Sequence, residues 1–268
     1  MSDPDFVHLH VHSEYSLLDG ANRISDLVQA CVRDGQRALA LTDHGNMFGA
    51  VELYQKCRAA EISPIIGCEV YIAKHSRHDG HHRERNPYSH LTLLARNQEG
   101  YQNILKLASA AYIEGYKFRP RIDKELLREY SEGLICLSGC VGGEVAHLIQ
   151  HEGMAAAEEA AREYMDIFGD NYYLEIQRHD IDVEEKINDG LLRLHKKLDV
   201  PLVATNDFHF LHADDHTAHD ALVCIQTGKN SGNGDAPEAM HVTQYDICLL
   251  YTSPSPRDLS TSRMPSSA

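Results

Sequence analysis

The chain reads as an α/β protein, a distorted seven-stranded (β/α) barrel of the TIM-like kind, on three observations. Short apolar segments alternate with helical ones along most of the 268 residues. Several apolar segments end in a metal-type side chain: Asp43-His44, Glu69, Cys140 and Asp207-x-His209 each follow one. The N-terminal run FVHLHVHSEYSLLDG gathers His8, His10, His12 and Asp19 in a short stretch. In parallel α/β barrels the active site is built from residues at the carboxyl ends of strands. Ligand-type residues recurring there point to one shared cluster.

The elements follow in order. Residues 6–11 alternate and predict a strand that puts His8, His10 and His12 on one face. Converging neutral imidazoles are what zinc and similar ions bind; three polar residues on a solvated edge would show the same alternation. Helical spacing predicts 24–33, closed by Gly35, and strand composition predicts 38–41. A helix is expected over 48–60, and extended chain over 64–66 and 70–73. The segment KHSRHDGHHRERNPYS is polar, basic and poor in apolar residues, hence a loop. A strand at 91–95 is followed by helices at 100–113 and 123–130. Strands at 134–137, 172–176 and 202–204 then alternate with helices at 155–168, 183–198 and 214–227. Gly20, Gly45 and Gly67 read as turn residues, and no GxGxxG or P-loop is present. From Leu249 on, LLYTSPSPRDLSTSRMPSSA has neither period and resembles translated adapter read-through, a non-native tail expected to pack nowhere.

A net charge of −15 argues against a stand-alone nucleic-acid-binding module, because phosphate backbones demand a basic surface. Several divalent ions in one pocket would make that pocket locally positive on an acidic body. The seven cysteines are scattered and odd in number, and no signal peptide or membrane-length apolar run is present, so a reduced cytoplasmic protein is expected. Cys31, Cys57, Cys68, Cys136 and Cys224 read as small core residues.

The segments HLHVHSEYSLLDGA, ALTDHGNMFGAVELY, PIIGCEVYIA, HLTLLARNQEGYQNILKLAS, GLICLSGC and LVATNDFHF resemble the polymerase-and-histidinol-phosphatase (PHP) domain. More narrowly, they are similar to the type that opens the α subunit of bacterial DNA polymerase III, over about residues 5–230. The resemblance implies a cluster of two or three divalent ions (Zn, Mn or Fe) held by nine side chains. His10, His12 and Asp207 would take the first, and Glu69 would bridge it to a second on His90 and Cys140. Asp19, His44 and His209 would take the third. His90 precedes its apolar run instead of following it, so only the resemblance assigns it. Such a site activates water and clamps phosphate oxygens, with Glu69, Asp207 and His209 expected to carry catalysis. Asp43 is expected to orient a histidine rather than bind metal.

The resemblance implies residues 1–230 as the PHP domain and 231–248 as the start of a linker toward a polymerase palm, with 249–268 the tail. It leaves three functions open. One is a 3′→5′ proofreading exonuclease acting on DNA 3′ ends, within a chain whose other partners are the rest of the α subunit, a separate exonuclease subunit and the sliding clamp. The second is a metal-stabilised interaction domain. The third is a stand-alone histidinol-phosphatase-like enzyme. The intact ligand set favours the first over the second, and the polymerase-type segment from His90 to Cys140 disfavours the third. His75, His78, His81 and His82 with Arg77, Arg83 and Arg85 read as a solvated loop or a DNA contact. Arg178-His179 either contacts phosphate at the pocket mouth or does not, and Tyr15 either lines the site or packs in the core. His147, His151, His195, His212, His216, His219 and His241 read as helix-surface or loop residues.

Overall fold

A computed structural model describes residues 6–79, 88–179 and 181–227. Its strands are β1 (Ala38–Leu41), β2 (Ser63–Ala73), β3 (Tyr88–Ala95), β4 (Arg121–Ile122), β5 (Leu134–Leu137), β6 (Tyr172–Ile176) and β7 (Leu202–Ala204). They form one sheet in the order β1-β2-β3-β5-β6-β7, with β4 added beside β2. The N-terminal segment closes this sheet into a barrel. Ala40 N and Thr42 N donate to His8 O and Val11 O on one side, and His12 N donates to Phe208 O, beyond β7, on the other.

Alternation within each strand sorts the core. Leu9, Ala40, Leu94 and Leu137, with Ile65, Ile135, Tyr173 and Val203, fill the barrel interior, one layer drawn from every wall. The opposite faces pack outward. Leu91, Leu93, Cys136, Tyr172 and Leu174 lie under the helices α3 (Gln98–Ile113), α5 (Glu144–His151), α6 (Met154–Phe168) and α7 (Asp182–Leu198). Val11, Leu39 and Leu41 lie under α1 (Ile24–Arg33) and α2 (Ala50–Ala59). The helices bury one stripe each: Ile24, Leu27, Val28 and Cys31 on α1, and Ile187, Leu191, Leu194 and Leu198 on α7. Side-chain caps fix two starts, Asn97 accepting from Gly100 N for α3 and Asp123 accepting from Leu126 N for α4 (Lys124–Glu129). The chain ends its described course in α8 (His216–Thr227). No helix among the described residues is long and apolar enough to cross a membrane.

The barrel is the expected one, and several details differ. β3 runs antiparallel to both neighbours, pairing Tyr71 with His90 and Leu94 with Ile135. β2 is continuous through Gly67, which is not a turn: a Cβ there would lie 2.6 Å from Leu93 O, so glycine permits the close approach of β3. β4 and α5 were not expected, the first being only two residues long and the second obscured by the glycines around it. Residues 6–11 make isolated bridges instead of a regular strand. Cys224 is only partly buried, unlike Cys31, Cys57, Cys68 and Cys136. The expected linker at 231–248 and the tail at 249–268 lie outside the described residues, with His81, His82, Arg83, Arg85 and His241.

Candidate metal centre

The same alternation that buries the interior layer carries polar residues one step further along the walls. Glu69 shares the inner face of β2 with Ile65, Thr92 that of β3 with Leu94, and Glu175 that of β6 with Tyr173. Because β3 is reversed, its beginning lies where the other strands end. That is why His90 reaches the site although it precedes its apolar run.

All nine expected residues come together. His10 Nε2 and His12 Nε2 lie 3.2 and 3.1 Å from Asp207 Oδ1. Glu69 Oε1 is 2.9 Å from His90 Nδ1, 3.5 Å from His10 Nε2 and 3.7 Å from Cys140 Sγ. Its other oxygen, Oε2, is 2.5 Å from His44 Nδ1 and 3.5 Å from His12 Nε2. Asp19 Oδ2 is 2.8 Å from His44 Nε2 and 3.5 Å from His209 Nε2. Asp207 holds a positive φ of 47°, a strained conformation for a side-chain-bearing residue.

The donor set fits divalent cations. His10 Nε2, His12 Nε2, His44 Nδ1 and Glu69 Oε2 are buried without a hydrogen-bond partner among the described residues, yet they point at one another. Unpaired buried polar atoms cost free energy, and a shared cation is the partner this chemistry suits. Three groupings of these side chains have metal-holding spacing: His10, His12 and Glu69; His44, Glu69 and His90; His12, His44 and His209.

The electrostatics are those of competing protons and cations. Burial opposes charge on His10, but Asp207 and Glu175 outweigh it and hold its pKa well above the ordinary value. Burial likewise opposes charge on His44, and Glu69 and Asp19 raise it to about 10. His12 goes the other way, to about 3, through burial and then the neighbouring His209 and His44. The Cys140 thiol is pushed well up by burial, then by Asp207 and Glu69.

The residues behind the cluster were only partly anticipated. Asp43 does not meet a histidine ring directly. It accepts from Ser13 N, Ser13 Oγ and Ser16 Oγ, and Ser16 Oγ in turn contacts His12 Nδ1 at 2.9 Å. Glu175 was missed. It is buried, accepts from Gly139 N and Thr205 Oγ1, and holds His10 Nδ1 at 2.7 Å. The signal was present, since Glu175 also sits near the end of a short apolar strand with ligand-type chemistry. Partners of this kind fix the tautomer and aim of a ligating ring, and their loss costs about 10- to 100-fold in metal affinity. Glu175→Gln is expected to fall in that range when cation affinity is measured by competition with a chromogenic chelator; unaltered affinity would remove Glu175 from this role. His219 was expected on a helix surface, but α8 brings its Nε2 within 3.9 Å of Asp19 Oδ1.

Other expectations are corrected. His8 does not join His10 and His12. Val7 and Leu9 face the interior whereas Val11 faces the helices, so the alternation breaks at His10, and the His8 ring packs between Phe6 and Phe208 at 5.0 Å from each. Tyr15 turns its hydroxyl away to Glu52. Arg77 is held by Glu114 and Asp123, so it is structural and not a DNA contact. His78 is exposed and lies 3.9 Å from Glu114.

His179 does not contact phosphate: its Nδ1 meets Glu184 and its Nε2 donates to Asn206 O, so both ring nitrogens are used. Burial opposes its charge, but the Glu184 hydrogen bond raises its pKa above 6.5. Its contribution to stability is therefore complete below the unfolded value of 6.5 and fades as pH rises through the raised folded value. His179→Ala would strip buried Glu184 of its imidazole partner and leave it only the backbone N–H of residue 179, a loss of about 1.5–3 kcal/mol. Urea unfolding at neutral pH checks this, and a loss below about 1 kcal/mol, as for an ordinary surface change, would refute the structural role.

Residues 8–179 match the family model described as PHP domain. The chain belongs to the PHP domain family. It is 50% identical over 232 residues to DNA polymerase III subunit alpha of Treponema pallidum, a match covering 86% of this chain and 20% of that protein. It is 47% identical over 252 residues to DNA polymerase III subunit alpha of Borreliella burgdorferi, covering 92% and 22%. This PHP chain thus spans about a fifth of the length of these curated relatives. Among solved structures it is similar to an amidohydrolase from Chromobacterium violaceum, with a TM-score of 0.44, 14% identity, and coverage of 76% of this chain and 87% of that one.

Proposed function

We propose that this chain is the PHP domain of a replicative DNA polymerase α subunit and acts as a metal-dependent phosphoesterase, removing nucleotides from DNA 3′ ends as a proofreading 3′→5′ exonuclease. The observation that carries this reading is the convergence of three buried imidazole nitrogens, on His10, His12 and His44, on the Glu69 carboxylate. His10, His12 and Asp207 would hold one cation, and His90 and Cys140 a second. Asp19, His44 and His209 would hold a third, with Glu69 shared by the first two. Two or three ions of Zn, Mn or Fe, bound there, would supply Lewis-acid activation of water and neutralise charge on a phosphate.

The chain's own groups supply the positioning. Glu69 faces opposite halves of the cluster with its two oxygens, His10 and His90 on one, His12 and His44 on the other. Glu175 and Ser16 hold His10 and His12 from behind. The interior layer of the barrel beneath the cluster is apolar. The setting is cytoplasmic, in keeping with free buried thiols. DNA synthesis, an exonuclease-subunit contact and a sliding-clamp contact would belong to the rest of the α subunit.

The test is release of nucleotides from single-stranded and mismatched 3′ ends by the Zn- or Mn-loaded protein, with Glu69→Ala as control. Hydrolysis lost in the variant is expected. A metal-loaded protein inert on free DNA and on DNA presented by the complete polymerase would leave the metal a purely structural role.

A further inference from the structure

Beside the cluster the chain makes a tight turn, Lys117 N donating to Arg119 O. The sequence through it is Tyr116-Lys117-Phe118-Arg119, aromatic and cationic residues in alternation on a body of net charge −15. Phe118 sits at the tip with φ 61°, a conformation that costs a side-chain-bearing residue about 1 kcal/mol or more. Its ring stands out of the core, 82% exposed, and Tyr116 is 60% exposed. Large apolar rings so exposed mark binding surfaces when they cluster, and the Tyr112 and Tyr116 rings stack at 6.0 Å in the same corner.

Arg119 ties this turn to the site. Its guanidinium lies 5.7 Å from the centre of the Tyr71 ring. Tyr71 in turn stacks on His44 at 5.9 Å and meets His90 at 5.1 Å. The following residue, Pro120, presses against Gly45, where a Cβ would come within 2.7 Å of its ring. The turn is therefore seated on the backbone that carries His44. Neighbouring cations are committed elsewhere, Arg77 to Glu114 and Asp123, and Arg121 to the carbonyls of Gly115, Arg77 and Asp79. Arg119 is half-buried, over the Tyr71 ring that stacks on His44.

We propose that the turn from Tyr116 to Arg119 is the docking surface for a single-stranded polynucleotide whose 3′ end enters the metal cluster, with Phe118 stacking on a base and Arg119 meeting a backbone phosphate. Stacked aromatics with interleaved cations are how single strands are held without sequence preference. A duplex keeps its bases in its own stack and cannot offer them to Phe118. This assignment rests on the phosphoesterase reading for what happens at the bound end, while the binding itself is measured separately.

The test is fluorescence anisotropy of a labelled single-stranded deoxyoligonucleotide whose last linkage is a phosphorothioate, with the metal-loaded chain. Phe118→Ala is expected to weaken binding about 5- to 150-fold, the range for loss of one base–aromatic stack. Phe118→Tyr should retain it. Arg119→Gln should reduce the slope of log affinity against log salt by about 0.7, one phosphate contact on a single strand. Tyr116→Ala serves as a second exposed variant if Phe118→Ala folds poorly, with unchanged melting temperature as the check. Wild-type affinity in both ring variants, or equal affinity for duplex, would overturn the docking surface. Hydrolysis of bis(p-nitrophenyl) phosphate by the wild type is read in parallel. Its presence without ring-dependent binding overturns the docking surface alone; its absence with ring-dependent binding overturns the phosphoesterase reading alone.

Discussion

Glu69→Ala is expected to abolish phosphodiester hydrolysis, with a loss exceeding that of any other single ligand-type substitution in the cluster. Asp207 Oδ1 faces His10 and His12, whereas Glu69 offers one oxygen to His90 and His10 and the other to His44 and His12. Removing it severs the connection between the two halves of the site, and spacing within such clusters positions the attacking water and the phosphate. Outer partners such as Glu175 cost about 10- to 100-fold; the Glu69 loss should lie beyond that range. Metal content should fall by more than in Asp19→Ala. Glu69→Gln, which keeps volume and one acceptor, separates folding from ligation. Activity of Glu69→Ala within tenfold of wild type would mean that another nuclease is being measured or that Glu69 does not join the two halves.

Chelation should produce the second large effect, on stability. Asp19, Glu69, Asp207 and Cys140 lie in one partly buried cluster, and cations bound to the folded state stabilise it by mass action. A free-ion concentration one hundred times the dissociation constant contributes about 2.7 kcal/mol. In a domain of this size that is a melting-temperature shift of about 5–10 °C. Scanning calorimetry before and after exhaustive chelation, with metal content measured on the same samples, gives the comparison. Identical melting temperatures for loaded and stripped protein would show that the cluster is not a cation site of consequence.

The barrel walls and the type of chemistry at their ends were legible because both are local properties. Alternation needs only neighbouring residues, so β1, β5, β6 and β7 fall where their apolar runs stand. His44, Glu69, Cys140, Asp207 and His209 could be picked out because each follows such a run, and His10 and His12 because they alternate. Glu175 obeyed the same rule and was passed over, being a residue within the strand instead of just beyond it.

By itself, then, the sequence determined the barrel class and the positions of most strands, since period-two burial is written into each segment, and the family resemblance it carries implied the nine candidate ligands. The tertiary structure alone decided which way β3 runs, and so why His90 belongs to the site. It decided that alternation breaks at His10, sending His8 to Phe208. It also decided that Arg77 and His179 are consumed by Asp123 and Glu184, while Arg119 lies over the Tyr71 ring. The reason is the same in each case: strand direction, a break in register and the partner of a charged group depend on residues distant in the chain, and only closure of the barrel brings them together.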